Sequence, residues 1–475
     1  MVTTWKGILS TCLILSAGTL GGWASAAEPD ADCGLLVPGQ FLHIPGPNPI
    51  LVPGRAGAWD DGVIEAADAF HDGQTFYLYY HGTGQGKGYR LGAATASHPL
   101  GPFTKHGDRP ILDLGSPGSW DDRNVACAMV LKESAGKYLM WYSATGTSAA
   151  HAKWSIGLAT ASHPLGPWTK FPGNPLLVDF GYVGGVVPWK GRYHLYTAHP
   201  IGSTGPDYSP MSLALADSPT GPWTRWTGNP VLAEGPKGAW DDGGFSEAEV
   251  FQAHGSFHMF YGGAKIHPER IRTQESIGYA WSADGFSFVK HPGNPVARRE
   301  DHPNAAAFAE VHAVFQPPFV YLYHTLRYLT PRTPDDQKRF PRVENLGVEI
   351  LAMARPFEFQ MPVLHRPTLA PGQSTRASES PPVSLRGLSR ASLTVEYNRG
   401  PQASRGIRIQ VQRSEDGSQW STAEVFEDES RASQRVRTIH PLDVKSKFAK
   451  IIIANQDPSE SLTSLAVTAT LGASD

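Results

Sequence analysis

The chain has 475 residues, with 41 Lys and Arg against 44 Asp and Glu and a formal net charge of −3. That balance gives no footing for nucleic acid or an anionic membrane surface. The length allows a large core and more than one domain, and the 50 glycines and 40 prolines, spread along the chain, point to many turns between short strands.

At the N-terminus, Lys6 precedes the apolar run Ile8–Leu20 and the small residues Ala24–Ala26, the pattern of a secretory signal peptide over residues 1–26. The run is short for a membrane span and is broken by Ser, Thr and Gly. A secreted or periplasmic protein with no membrane partner after cleavage is therefore expected. Cys12 falls inside the signal, leaving Cys33 and Cys127, for which a disulfide and two free thiols are both open. No zinc-type Cys/His spacing stands out. No cofactor is expected, with a structural or axial metal ion left open.

From residue 40 the sequence repeats itself. Trp-Asp-Asp occurs at Trp59, Trp120 and Trp240, separated by one and then two periods of roughly sixty residues. The absent copy falls near Asp179–Gly185, which carries no tryptophan. A second element keeps the same beat: HPLGPF from His98, HPLGPW from His163, SPTGPW from Ser218, and the weaker SADGF from Ser282 and ARPFEF from Ala354. A third is Gly-Asn-Pro at Gly173, Gly228 and Gly293, with GDRPIL at Gly107 as a variant and GPNPIL at Gly46 ahead of the first unit.

Within each unit, aromatic-rich runs such as Thr75–Gly82, Lys137–Ser143 and Ser256–Gly263 have the composition of strands, and four of the five such runs follow a glycine-containing turn. Four strands per unit, repeated five times, predict an all-β fold: a five-bladed β-propeller over residues 40–368. A feature present in unit after unit serves something every unit needs. The recurrent tryptophan is expected to wedge between blades, and Asp60, Asp121 and Asp241 to cap turns or bond backbone N–H groups.

Chemistry is expected where the units differ. The inner strands of units four and five align Glu247-Ala248-Glu249 with Glu310-Val311-His312. Strand alternation places Glu247 and Glu249 on one face, and Glu310 and His312 on the equivalent face of the next unit. Asp68 falls level with Glu249, whereas Glu65 has the opposite parity unless its strand begins irregularly. Ionisable groups within otherwise apolar strands are costly unless paired or functional. They form either a buried polar network or a general acid/base pair acting on a sugar. On the second reading Glu247 is the general acid and Asp68 or Glu310 the base. His312, Glu249 and Arg123 position substrate, with Glu65 and His81 as further binding candidates. His81 and His324 are equally open to being ordinary strand-end histidines.

After Leu369 a Pro/Ser-rich stretch, residues 369–384, has the composition of a linker. Residues 385–475 return to alternating strands and predict a small C-terminal β-sandwich, with Trp420 and Tyr397 as weak candidates for sugar contact.

The segments WDDG…DGQTFYLYYHG…LGAATASHPLGPFTKHGDRPIL and SEAEVFQAHGSFHMFYGG…SIGYAWSADGFSFVKHPGNPV resemble the five-bladed propeller glycoside hydrolases, the superfamily of families 43, 32, 62, 68, 117 and 130. The resemblance covers residues 45–365 and implies a carbohydrate held in a funnel at the axis, with carboxylates from different inner strands. There are departures. Ala66 and Cys127 stand where family 43 carries its Asp-Pro aspartates, the family 32 WMNDPNG motif is absent, and no basic phosphate site of the family 130 kind is found. The expectation is a secreted glycosidase acting on a polysaccharide-derived oligosaccharide. Inversion is favoured because carboxylates on separate blades more readily sit about 6.5–9.5 Å apart. A non-catalytic sugar-binding propeller and a glycoside phosphorylase are the alternatives.

Overall fold

The computed structural model of the protein describes residues 41–198, 211–266, 272–302, 305–328, 343–353, 355–428 and 434–474. The expected signal peptide and Cys33 lie outside them. Among the described residues helix is limited to single 3-10 turns such as Ala149–His151, and no helix is long and apolar enough to cross a membrane.

Five antiparallel sheets follow one another along the chain. The first four run Ile64–His71 to Thr104–Lys105, Asn124–Ser134 to Thr169–Lys170, Tyr182–Trp189 to Thr224–Arg225 and Phe245–Ala253 to Val289–Lys290, each strand beside its predecessor. The fifth takes three strands from Ala305–Gln316, Phe319–Tyr328 and Val343–Ala352, and its outer strand, Leu42–Pro45, from the beginning of the described chain. Each innermost strand packs against the innermost strand of the next sheet, and the fifth returns to the first. The result is a closed, propeller-like ring. Radial repetition of this kind leaves each sheet with only short edges, as in the two-residue outer strands Thr104–Lys105, Thr169–Lys170 and Thr224–Arg225.

One apolar cluster fills each gap between sheets. Leu139, Trp141 and Ile156 of the second sheet meet Val183, Val186 and Leu195 of the third, and Phe260 and Tyr279 of the fourth meet Phe308 and Leu322 of the fifth. These side chains are almost fully buried, and each contributes about 1.5–3 kcal/mol relative to exposure.

The Trp-Asp-Asp motifs have the same structural tasks in the three units that carry them. Asp60, Asp121 and Asp241 are buried and pair with Lys105, Lys170 and Lys290 on the outer strand of their own sheet, at 2.5, 2.6 and 2.6 Å. The tyrosine hydroxyls of Tyr80, Tyr142 and Tyr261 donate to the same aspartates. The following acids, Asp61, Asp122 and Asp242, accept the backbone N–H of Gly57, Gly118 and Gly238 at 2.6–2.7 Å, as turn-capping acids do. The third sheet lacks the motif, and its outer strand carries Arg225, which donates instead to the carbonyls of Val178 and Asp179. Trp59, Trp120 and Trp240 lie over Tyr80, Tyr142 and Tyr261 of their own sheet, with ring centroids 5.6–5.7 Å apart, and pack with the apolar clusters between sheets.

The asparagines of Asn-Pro have one task as well. Asn174 accepts from the N–H of Leu158 and donates to its carbonyl, both at 2.9 Å, so its amide continues the sheet beyond the third strand. Asn229 does the same at Leu213, Asn294 at Tyr279, and Asn48 at Val348. GPNPIL is therefore the fifth copy, displaced to the front of the chain by ring closure.

Residues beyond the ring form two further four-stranded antiparallel sheets, which share an apolar core with the junction of the fifth and first sheets. Strand Phe357–Leu369 was expected inside the 40–368 domain, yet it pairs with Leu462–Ala473 in this C-terminal part. The C-terminal part therefore takes in the strand from Phe357. Part of the expected linker, Val383–Ser384, is a strand pairing with Phe448–Ala449. Tyr397 is buried with its hydroxyl on Asp428, and Trp420 lies against Lys450.

Candidate functional site

Every innermost strand carries one extra residue at the same level. The register slips between Ala66 and Asp68, between Ala126 and Ala128, between Val183 and Gly185, between Phe245 and Ala248, and between Ala309 and His312. A bulge of this kind bends the strand and re-aims its side chains. Two of the bulges hold non-glycine residues in the left-handed region, Cys127 at φ 46° and Glu310 at φ 45°. Such a conformation costs about 1–3 kcal/mol and persists where surrounding structure enforces it. Gly185, at φ 144°, lies so near Val250 that an added Cβ would stand 2.9 Å from its backbone.

The bulges overturn simple alternation. Glu65, on the opposite parity in a regular strand, joins Glu247 and Glu310, while Asp68, Glu249 and His312, beyond the bulges, form a second adjoining group. A single cup of acids becomes two.

In the first group His81 accepts the Cys127 backbone N–H at Nδ1, 3.5 Å, so its Nε2–H donates to Glu65 Oε2 at 2.9 Å. Glu65 Oε1 takes the Tyr89 hydroxyl and Arg327 Nη2, both at 3.1 Å. The same Arg327 nitrogen donates to Glu310 Oε1 at 3.1 Å, tying the first and fifth sheets together. Across the ring the Cys127 thiol donates to Glu247 Oε1 at 2.7 Å. Glu247 Oε2 and Glu310 Oε2 are buried with no hydrogen-bond partner.

Burial, and then the charge of Glu310, push the Glu247 carboxyl well above the usual range. Burial raises Glu310 too, with Arg327 acting against it. The Cys127 thiol is likewise driven well up by burial and then by Glu247, so it stays protonated. Glu65, Glu247 and Glu310 keep 7, 4 and 5 % exposure. Half-buried aromatic rings border the group, Tyr182 against Trp154 at 4.9 Å and Tyr89 edge-on to His81 at 4.8 Å.

In the second group the carboxylate oxygens of Asp68 accept backbone N–H groups of Val130, at 2.6 Å, and Ala69, at 2.8 Å. Burial still pushes its pKa up to about 7. Glu249 rises well above the usual range through burial and then Asp68. Burial, with His81 nearby, lowers His312 to about 3. His312 is thus neutral at pH 7, and its 3.4 Å contact with Glu249 is a hydrogen bond rather than an ion pair. One ligand atom from each of Asp68, Glu249 and His312 lies within 4.8 Å of the others, a set that could hold a cation.

Two candidates sit elsewhere. Arg123 is exposed and, among the described residues, its side chain makes no hydrogen bond or ion pair to the acids. His324 donates to Glu349 within the fifth sheet. Arg327, Tyr89, Tyr182, Trp154 and the Cys127 thiol were not among the expected site residues. Their sequence signals were slight: one arginine in an aromatic second strand, and a cysteine where the resemblance leads to an aspartate.

No protein-family model matches the chain, and no curated protein matches it. Among solved structures, a thermostable family 43 glycoside hydrolase is 19% identical with TM-score 0.44, covering 63% of this chain and 91% of its own. A family 117 glycoside hydrolase of Zobellia galactanivorans is 16% identical with TM-score 0.45, covering 66% and 91%. A family 32 β-fructofuranosidase of Bombyx mori is 10% identical with TM-score 0.43, covering 92% and 95%. Likenesses at this level assign this chain neither family nor activity, and the site must be interpreted from its own geometry.

Proposed function

We propose that the ring is a five-bladed β-propeller with a small β-sandwich behind it, and that it acts as a secreted glycoside hydrolase on an oligosaccharide derived from a polysaccharide. One observation carries the reading. Glu247 and Glu310, on different sheets, each present an unpartnered carboxyl oxygen, and they lie near enough for the charge of one to raise the pKa of the other.

Glu247, kept protonated, donates its proton to the glycosidic oxygen as the C–O bond breaks. Glu310, favoured as carboxylate by Arg327, takes a proton from the water that attacks the anomeric carbon. Asp68, the other base considered from sequence, has both oxygens occupied by backbone donors in the second group, so the geometry favours Glu310. Glu65, with three donors on two oxygens, orients Arg327 and His81. Tyr182 and Trp154 offer an apolar face to a sugar ring. Acids on separate sheets are in keeping with inversion.

A purely sugar-binding propeller needs no such set of acids. Phosphorolysis needs cations for phosphate, and Arg327 and His81 are already committed to Glu65 and Glu310. The test is hydrolysis across a glycan panel, with the anomer of the product followed by NMR. Wild-type protein that cleaves nothing, or a Glu247→Gln variant with unchanged turnover, removes the proposal.

A further inference from the structure

A second polar centre lies away from the axis, where the strand that closes the ring meets the fifth sheet. Glu349, on the third strand of that sheet, is completely buried. Its Oε2 accepts His43 Nε2 at 2.6 Å, and its Oε1 accepts His324 Nε2 at 2.8 Å and Asn48 Nδ2 at 3.0 Å. His302 Nε2 lies 2.9 Å from the same Oε1 and is buried, with no partner beyond that oxygen. The His302 side chain is 7% exposed. The other nitrogen of His43, Nδ1, is held by Asp301 Oδ2 at 3.1 Å, and Asp301 in turn takes Arg386 at 2.7 Å.

These features go together in one way. Three imidazole nitrogens crowd the two oxygens of one buried carboxylate, and His302 Nε2 stands against an oxygen that already accepts from two other donors. One ligand atom each from His43, His302 and Glu349 lies within 4.8 Å of the others. Imidazole nitrogen and carboxylate oxygen bind zinc at about 2.0–2.2 Å in a tetrahedron, with a water completing three protein ligands. A ligating histidine ordinarily gives its remaining N–H to a carboxylate, which is the position of Asp301 against His43. His324 and Asn48 hold the metal-binding carboxylate from behind in the same manner.

We propose that His43, His302 and Glu349 form a zinc-binding site that clasps the ring-closing strand Leu42–Pro45 to the fifth sheet and to the turn Arg299–Asp301. The donor set of two imidazoles and a carboxylate suits Zn2+ above Ca2+ or Mg2+, which prefer all-oxygen shells. The site is separate from the proposed catalytic acids and does not depend on them. Its place explains why the N-terminal strand carries a histidine at position 43 in an otherwise apolar run.

The test uses the full chain, stripped with chelator and titrated with ZnCl2 by calorimetry, with CoCl2 as a spectroscopic probe. One zinc per chain is expected, with a rise in Tm and the visible bands of four-coordinate cobalt. His302→Gln and His43→Gln weaken binding by about 100-fold or more, and Asp301→Asn by about 10-fold. His312→Gln, in the axial group, leaves binding unchanged. His302→Gln is the informative variant if His43→Gln fails to fold, because position 302 lies outside the closing strand. Absence of one-to-one binding at micromolar zinc overturns the proposal. So does binding that survives His302→Gln, or that disappears in His312→Gln.

Discussion

The Cys127 thiol, on the second sheet, donates to Glu247 Oε1 on the fourth at 2.7 Å. That hydrogen bond favours the ionised carboxylate and so restrains the upward pull of burial and Glu310 on Glu247. Removing the donor lets the pKa rise further. If Glu247 is the general acid, activity falls as pH rises through its pKa, so the alkaline limb of kcat/KM moves to higher pH in Cys127→Ala. Cys127→Ser keeps a donor and keeps the limb near its wild-type position. Identical limbs in the alanine variant and wild type would show that the thiol does not tune the acid.

The two proposed catalytic acids are separable by leaving group. Glu247→Gln loses about 10²–10⁴ in kcat on a substrate whose leaving group is a sugar. It loses far less on an aryl glycoside with an acidic phenol, which needs no proton. Glu310→Gln loses a similar factor on both, because activation of water is needed in each case. Steady-state kinetics on the two substrate types decides it, and equal losses for Glu247→Gln on both would contradict its role as acid.

The ring was legible because its repeats carry backbone tasks. Trp-Asp-Asp recurs in the three sheets that hold a lysine clasp, and Asn-Pro in the four whose third strand an amide extends. The bulges were not legible. Cys127 and Glu310 adopt positive φ without glycine, so nothing in the local sequence marks the slip that moves Glu65 into the first group and separates Glu249 from Glu247. Arg327 was missed for a related reason: it reaches the acids from a second strand, where only three-dimensional proximity makes it part of the site. ARPFEF imitated a repeat through its aromatic spacing, but its partner strand lies about a hundred residues downstream, at Leu462–Ala473, a distance that periodicity does not register.

The lysine clasps are structural, and their two partners are not equivalent. Asp121 is 4% exposed and Lys170 is 27% exposed. Lys170→Met strands a buried carboxylate, which costs about 3–5 kcal/mol. Asp121→Asn leaves an amine that can turn to water, and costs less. Urea unfolding should rank the variants in that order, with hydrolysis by the folded fraction unchanged in both. A larger loss for Asp121→Asn would mean that the aspartate matters chiefly through Tyr142 and its other neighbours.

Glu249 makes stability depend on pH in a direction opposite to that of an ordinary paired acid. Its folded pKa lies well above the ordinary 4.5 of a glutamate, through burial and then Asp68. The folded state therefore binds a proton that the unfolded chain releases. The associated stability is complete below about pH 4.5 and is lost as pH rises through the folded value. Asp68, raised from 3.8 to about 7, acts in the same sense, whereas His312, lowered to about 3, acts in the other, costing stability as pH falls below its unfolded value of 6.5. Glu249→Gln mimics the protonated acid and cannot ionise. Its Tm should match wild type near pH 4 and exceed it at pH 9, with a shallower decline between. Parallel Tm curves for the two proteins would show that Glu249 titrates alike in the folded and the unfolded chain, and that the second group is wetter than its burial implies.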